Sequence, residues 1–278
     1  MERRFIQCDV FSATPTKGNA LAVVVDADGL SDEAMQGFAR WTNLAETTFL
    51  MTRENPGADY KVRIFTPSRE MPFAGHPTLG SCVAWLKTGG VPADPNLIRQ
   101  ECGVGIVEID LSTDRPAFSA PPTRIAPMKE AERQRIQKRL GLDPDQIVNT
   151  VELENGPVWQ LFELRSAWEV LQVDSGKVKW PEFRAIGLIG KSDDGAASDY
   201  EVRMIAPSSG MSEDPITGSL NAAIAKWLQK EGRLPQELIV SQGTNIDRDG
   251  KITIRSRQDG SIWIGGDVHI VVEGTVRL

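Results

Sequence analysis

The chain has 278 residues, 40% of them hydrophobic and 25% charged, an ordinary globular make-up long enough for two domains or one large one. Its net charge of −7, without clustered Lys/Arg, argues against nucleic-acid or acidic-membrane partners, and no stretch reaches the length of a membrane span. Three scattered cysteines, Cys8, Cys82 and Cys102, form no CxxC pair and argue against a disulfide framework, which fits a reducing, cytoplasmic setting.

In chain order, strands are expected at residues 5–10 and 21–25. The apolar run after Met1-Glu2-Arg3-Arg4 is too short for a signal peptide. Ser31 caps a helix that carries Asp32 and Glu33 in its first turn and runs to about Thr42. A strand follows at 47–51. Another starts at Lys61, with Val62, Ile64 and Thr66 on one face, and Pro67 stops it. His76-Pro77 opens a helix poor in polar residues, which implies burial on most sides. Strands at 98–101 and 105–111 lead to a proline-rich junction at 113–127. A charged helix over 129–140 opens the second half. The tail alternates over 251–257, 261–264 and 268–272 as hairpins with glycine turns.

The chain also resembles itself. Residues 61–68 (KVRIFTPS) match 201–208 (EVRMIAPS) at a constant offset, which also pairs Met71 with Met211. After a two-residue loss, His76-Pro77 aligns with Asp214-Pro215, Gly80 with Gly218 and Ser81 with Ser219; Trp85-Leu86 recurs as Trp227-Leu228. Each copy reads as strand, loop and helix. Duplication of this kind implies a pseudo-twofold axis, with equivalent loops forming a small-molecule cleft between the halves.

Three residues carry chemistry. Asp214 heads a helix whose first turn holds Gly218 and Ser219, where free N–H groups suit a carboxylate or enolate. His76 holds the equivalent place, and an imidazole that titrates near neutrality suits proton transfer. Glu46 enters an apolar strand, where burial would raise its pKa and make it an acid/base. Taken singly, each has an ordinary reading, as a cap, a core histidine or a solvated glutamate. Two histidines, His76 and His269, and separated cysteines make a poor supply of transition-metal ligands. There is no GxxxxGK[ST] loop, strand-following GxGxxG or GxSxG elbow. No metal and no cofactor is therefore expected.

Ordered motifs carry a family resemblance. They are FSATPTKGNALAVV at 11–24, NLAETTF at 43–49, RIFTPSREMPFAGHPTLG at 63–80, EDPITGS at 213–219, SQGT at 241–244 and the GG…GT tail at 265–275. Together they resemble the phenazine-biosynthesis (PhzF-like) family, related in fold to diaminopimelate epimerase, over essentially the whole chain. The resemblance implies an α/β (α+β) fold of two pseudo-symmetric domains, each a curved, mostly antiparallel sheet wrapped around a central helix. The expected bounds are 1–116 and 117–278, with the last strand free to return to the first domain.

The resemblance further implies cofactor-independent proton shuttling in the interdomain cleft. Glu46 would be the acid/base, and His76 and Asp214 would assist or relay. Gly75, Gly218 and Ser219 would bind a substrate carboxylate. A homodimer acting on a small-molecule carboxylate is implied, as in the isomerisation of dihydro-hydroxyanthranilate. Ala20 replaces a family proline, and Leu220-Asn221-Ala222 departs from a small, glycine-bearing segment, which bears on the substrate. Two-thiol racemase chemistry is not supported, because Cys82 lies beyond the mouth of its helix and Leu220 holds the matching place. The alternatives are an amino- or hydroxy-acid epimerase and a non-catalytic binding protein of the same fold.

Overall fold

The computed structural model describes residues 1–178, 185–205 and 212–278. The elements are β1 (Glu2–Val10), β2 (Asn19–Val24), α1 (Asp32–Thr42), β3 (Glu46–Met51), β4 (Tyr60–Phe65), β5 (Glu70–Met71), α2 (Gly75–Lys87), β6 (Leu97–Cys102), β7 (Gly105–Asp110) and β8 (Ala117–Ser119). The chain continues with β9 (Arg124–Pro127), α3 (Glu130–Leu140), β10 (Ile147–Glu154), β11 (Val158–Leu164), α4 (Ala167–Gln172), β12 (Ile186–Lys191), β13 (Tyr200–Ile205) and α5 (Gly218–Lys230). It ends with β14 (Glu237–Gln242), β15 (Gly250–Ser256), β16 (Ile262–Gly265) and β17 (Val268–Arg277). Two compact units result: Met1–Ser119 with Gly265–Leu278, and Ala120–Ile264.

In the first unit, β1–β2 is antiparallel, β2–β3 parallel, β3–β4 antiparallel, β4–β6 parallel and β6–β7 antiparallel. In the second, β10–β11, β11–β12, β12–β13, β13–β14 and β14–β15 follow the same succession of directions. Parallel neighbours need a crossover, and helices supply it: α1 and α2 in one unit, α4 and α5 in the other. The duplication read from the residues is thus repeated in topology. The repeat positions Pro207, Ser208 and Met211 lie outside the described residues.

In each unit the strands are packed by helices on both faces. On β3 successive side chains point to opposite sides. Thr48 accepts a hydrogen bond from Ser81 of α2 at 2.9 Å, while Phe49 packs edge-on against Phe38 of α1. Residues 75–82 of α2 are all buried, so its low polarity reflects its position against β1, β2 and β3. Gly80 permits that approach: a Cβ there would lie 2.6 Å from Leu21 Cδ2. In the second unit the strand yields instead. Gly187 of β12 faces Leu220 of α5, whose Cδ1 would lie 3.0 Å from an added Cβ, and Leu188 points to the core under α3 and α4.

β17 runs antiparallel to β1 along its whole length. Two expectations change. Pro77 is the third residue of α2, not its first, and Ala74 is the N-cap. Asp214 does not head α5. That helix starts at Gly218 with Thr217 as N-cap, while the Asp214 backbone N–H donates to Met204 O at 2.9 Å in a β-bridge. The bridge keeps residue 214 extended, and Pro215 brings no N–H to continue a ladder. Aligning Trp85 with Trp227 therefore sets His76 against Gly218, so His76 and Asp214 are not equivalent positions.

Candidate active site

In the first unit the motif 43–49 is built residue by residue. Asn43 adopts a left-handed conformation (φ 52°) and ends α1, turning the chain so that Glu46 starts β3. Thr47 bonds Thr42 at the end of α1 at 2.9 Å, and Thr48 bonds α2, so the two residues that follow Glu46 on β3 are anchored. His76 sits in the first turn of α2, and 4% of its surface is exposed.

Glu46 and His76 meet. Glu46 Oε2 lies 3.4 Å from His76 Nε2 without hydrogen-bond geometry, and 18% of the glutamate side chain is exposed. Asn19, buried at the start of β2, presents Nδ2 to His76 Nδ1 at 3.3 Å. An amide nitrogen donates, so Nδ1 accepts and the ring proton rests on Nε2, facing the glutamate. Burial pushes the His76 pKa down to about 3. A carboxylate at 3.4 Å would favour the imidazolium, but the cost of burying that charge prevails, so the ring is neutral at physiological pH. The expectation that His76 titrates near neutrality is corrected: it offers a fixed N–H, not a switchable charge. Neither of two cavities in this unit, about 360 and 460 Å³, is lined by Glu46, Gly75 or His76.

In the second unit, Asp214 lies within hydrogen-bonding distance of Thr217, whose Oγ1 donates to Asp214 Oδ2 at 2.5 Å. Glu213, the residue before, is fully buried and paired with Arg203 of β13 through Nε at 2.9 Å and Nη2 at 2.6 Å. Arg203 Nη1 also donates to the carbonyls of Val170 and Val173. This anchors the segment carrying Asp214. Gly218 and Ser219 are the first residues of α5, where backbone N–H groups have no intrahelical carbonyl to meet and suit an oxyanion. Gly75 holds the same place in α2. Residues Asn19, Thr217 and Gln242 were not singled out from the sequence, although each lies inside one of the family motifs.

Burial pushes the thiols of Cys8 and Cys82 up to about 12, so neither is a ready base or nucleophile. Among the described residues, no group of three or more His, Cys, Asp and Glu could hold a metal ion. Among them too, no helix is long and apolar enough to cross a membrane.

Paired units of repeated strand direction, each around a buried helix, form the α/β fold of a Bacillus anthracis phenazine biosynthesis protein of the PhzF family. The two superpose with a TM-score of 0.85 at 22% identity, covering 100% of both chains. The family described as phenazine biosynthesis-like protein (PhzC-PhzF) matches residues 8–274. Antisense-enhancing sequence 1 of Schizosaccharomyces pombe is 32% identical, covering 98% of both chains. The trans-2,3-dihydro-3-hydroxyanthranilate isomerase of Pseudomonas aeruginosa is 30% identical, covering 99% of both. The chain belongs to the phenazine biosynthesis-like family. Within it, the chain is an enzyme of the isomerase class.

Proposed function

We propose that this protein is a cofactor-independent isomerase that moves a proton on a small carboxylated, possibly cyclic substrate, with Glu46 as the principal acid/base. The observation that carries this reading is the contact of Glu46 with a buried, neutral His76 whose tautomer Asn19 fixes. Glu46 takes a proton from a substrate carbon, and the electron pair of that C–H bond enters the substrate's π system. The proton returns to a different carbon as a new C–H bond forms. Nothing is oxidised or reduced, so no redox partner is required.

The Nε2–H of His76 steadies the Glu46 carboxylate before the first transfer and after the second. Asp214 assists at the substrate, and the N–H groups of Gly75, Gly218 and Ser219, with the Ser219 hydroxyl, hold its carboxylate. The test is turnover of trans-2,3-dihydro-3-hydroxyanthranilate in deuterated water, followed by NMR. Movement of unsaturation with label at a new carbon supports isomerisation. Exchange at one stereocentre without movement of unsaturation would make the protein an epimerase instead. Tight binding with neither outcome would mean that the compound isomerised is a different one.

A further inference from the structure

Both units place a fully buried glutamine on the strand that follows the helix, Gln100 on β6 and Gln242 on β14. Each strand pairs parallel to the one that carries the repeated arginine. Each glutamine reaches back to a threonine at the start of its helix. In the first unit, Tyr60 Oη donates to Gln100 Oε1 at 2.8 Å, and Gln100 Nε2 donates to Thr78 Oγ1 at 3.0 Å. The Thr78 hydroxyl then donates to the carbonyl of Ala74 at 2.9 Å. That chain of bonds closes a helix end.

The second unit ends the same device on a carboxylate. Gln242 Oε1 accepts from the Thr217 backbone N–H at 3.1 Å and from Asn221 Nδ2 at 2.9 Å. Asn221 Nδ2 also donates to Thr217 O at 3.0 Å, which fixes the asparagine amide as well. With its oxygen engaged by two donors, Gln242 can offer only Nε2 elsewhere. It donates to Thr217 Oγ1 at 3.0 Å and to Asp214 O at 3.3 Å. A hydroxyl that accepts in this way keeps one proton, and that proton goes to Asp214 Oδ2.

We infer that Gln242 is a positioning residue for Asp214, acting through Thr217 to hold the carboxylate in one orientation for substrate. The inference rests on the role proposed for Asp214. It also accounts for Asn221, a departure from the family pattern, which locks the glutamine amide the right way round.

Gln242→Glu keeps the shape but removes the donor. Both new oxygens accept, so the Thr217 hydroxyl turns toward them and away from Asp214. Thr217→Val removes the same proton without burying a charge, and so serves if Gln242→Glu does not fold. Turnover of trans-2,3-dihydro-3-hydroxyanthranilate should fall by about 10- to 100-fold in kcat in either variant, with KM little changed, as loss of a bond to a charged group implies. Thr217→Ser should restore it. In an Asp214→Asn background neither substitution should cost anything further. Multiplying losses, or a folded Thr217→Val at the wild-type rate while Asp214→Asn is impaired, would overturn the inference and leave the isomerase reading standing. Asp214→Asn at the wild-type rate would remove the role of Asp214 itself and the inference with it. A crystal structure of Thr217→Val or Gln242→Glu reads the geometry without substrate: Asp214 should leave its wild-type orientation, and an unmoved carboxylate contradicts the inference.

Discussion

His76 turns its Nε2 edge to Glu46 Oε2 at 3.4 Å, and Asn19, on the far side of the ring, makes that edge a proton donor. Asn19→Asp reverses the logic. A carboxylate beside Nδ1 accepts instead of donating and favours the imidazolium, so the His76 pKa should rise from about 3, by about 1–3 units. Nitrogen-15 NMR of the ring across pH 2–7 checks this. An unchanged titration would show that Asn19 does not set the tautomer.

The buried neutral ring also gives stability a pH dependence. The unfolded chain takes up this proton near the ordinary value of 6.5, and the folded chain does so only near pH 3. Between these values the unfolded state binds more protons, so stability is complete above pH 6.5 and falls as pH drops toward 3. The slope is about 1.4 kcal/mol per pH unit at most. Urea midpoints measured from about pH 6.5 to about pH 5, above most carboxylate titrations, should fall in wild type and flatten in His76→Gln. Equal slopes would contradict the assignment.

The two arginines of the repeat should differ sharply in worth. Arg203 and Glu213 are each 1% exposed at the side chain, whereas Arg63 and Glu70 are 21% and 43% exposed. Arg203→Met strands a buried carboxylate and should cost about 3–5 kcal/mol. Arg63→Met should cost about 1 kcal/mol or less. Adding Glu213→Leu to Arg203→Met should recover much of the loss, as read from denaturant midpoints.

Gly80→Ala tests the close approach of α2 to β2. The added Cβ would meet Leu21 Cδ2 at 2.6 Å, so the helix must shift, at about 1–3 kcal/mol. A lower Tm is expected. An unchanged one would place α2 farther from the sheet.

The sequence showed the local elements best where one signal was sharp. Ser31 with Asp32 and Glu33 placed the start of α1, and alternation placed β4. It was silent on β11 and β12, whose residues are buried on both faces and lose the period of two, so that a short apolar run does not declare itself a strand. Asp214-Pro215 looked like a helix start because a polar residue before proline usually is one. Only the bridge to Met204, a contact ten residues distant, shows otherwise. Glu46, His76 and Asp214 were proposed from their motifs, and the structure brings Glu46 and His76 together. Their supports were not legible: a glutamine donating to a threonine is a tertiary fact that leaves no pattern in spacing.

Glu46 is the acid/base of the proposed mechanism, and Glu46→Gln tests it most directly. Glutamine keeps the shape and a carbonyl acceptor but cannot take up and return a proton. With Tm unchanged, deuterium transfer on the substrate of the proposed reaction should fall about 10²–10⁴-fold. A well-folded Glu46→Gln protein that transfers label at the wild-type rate would contradict the mechanism and move the acid/base elsewhere.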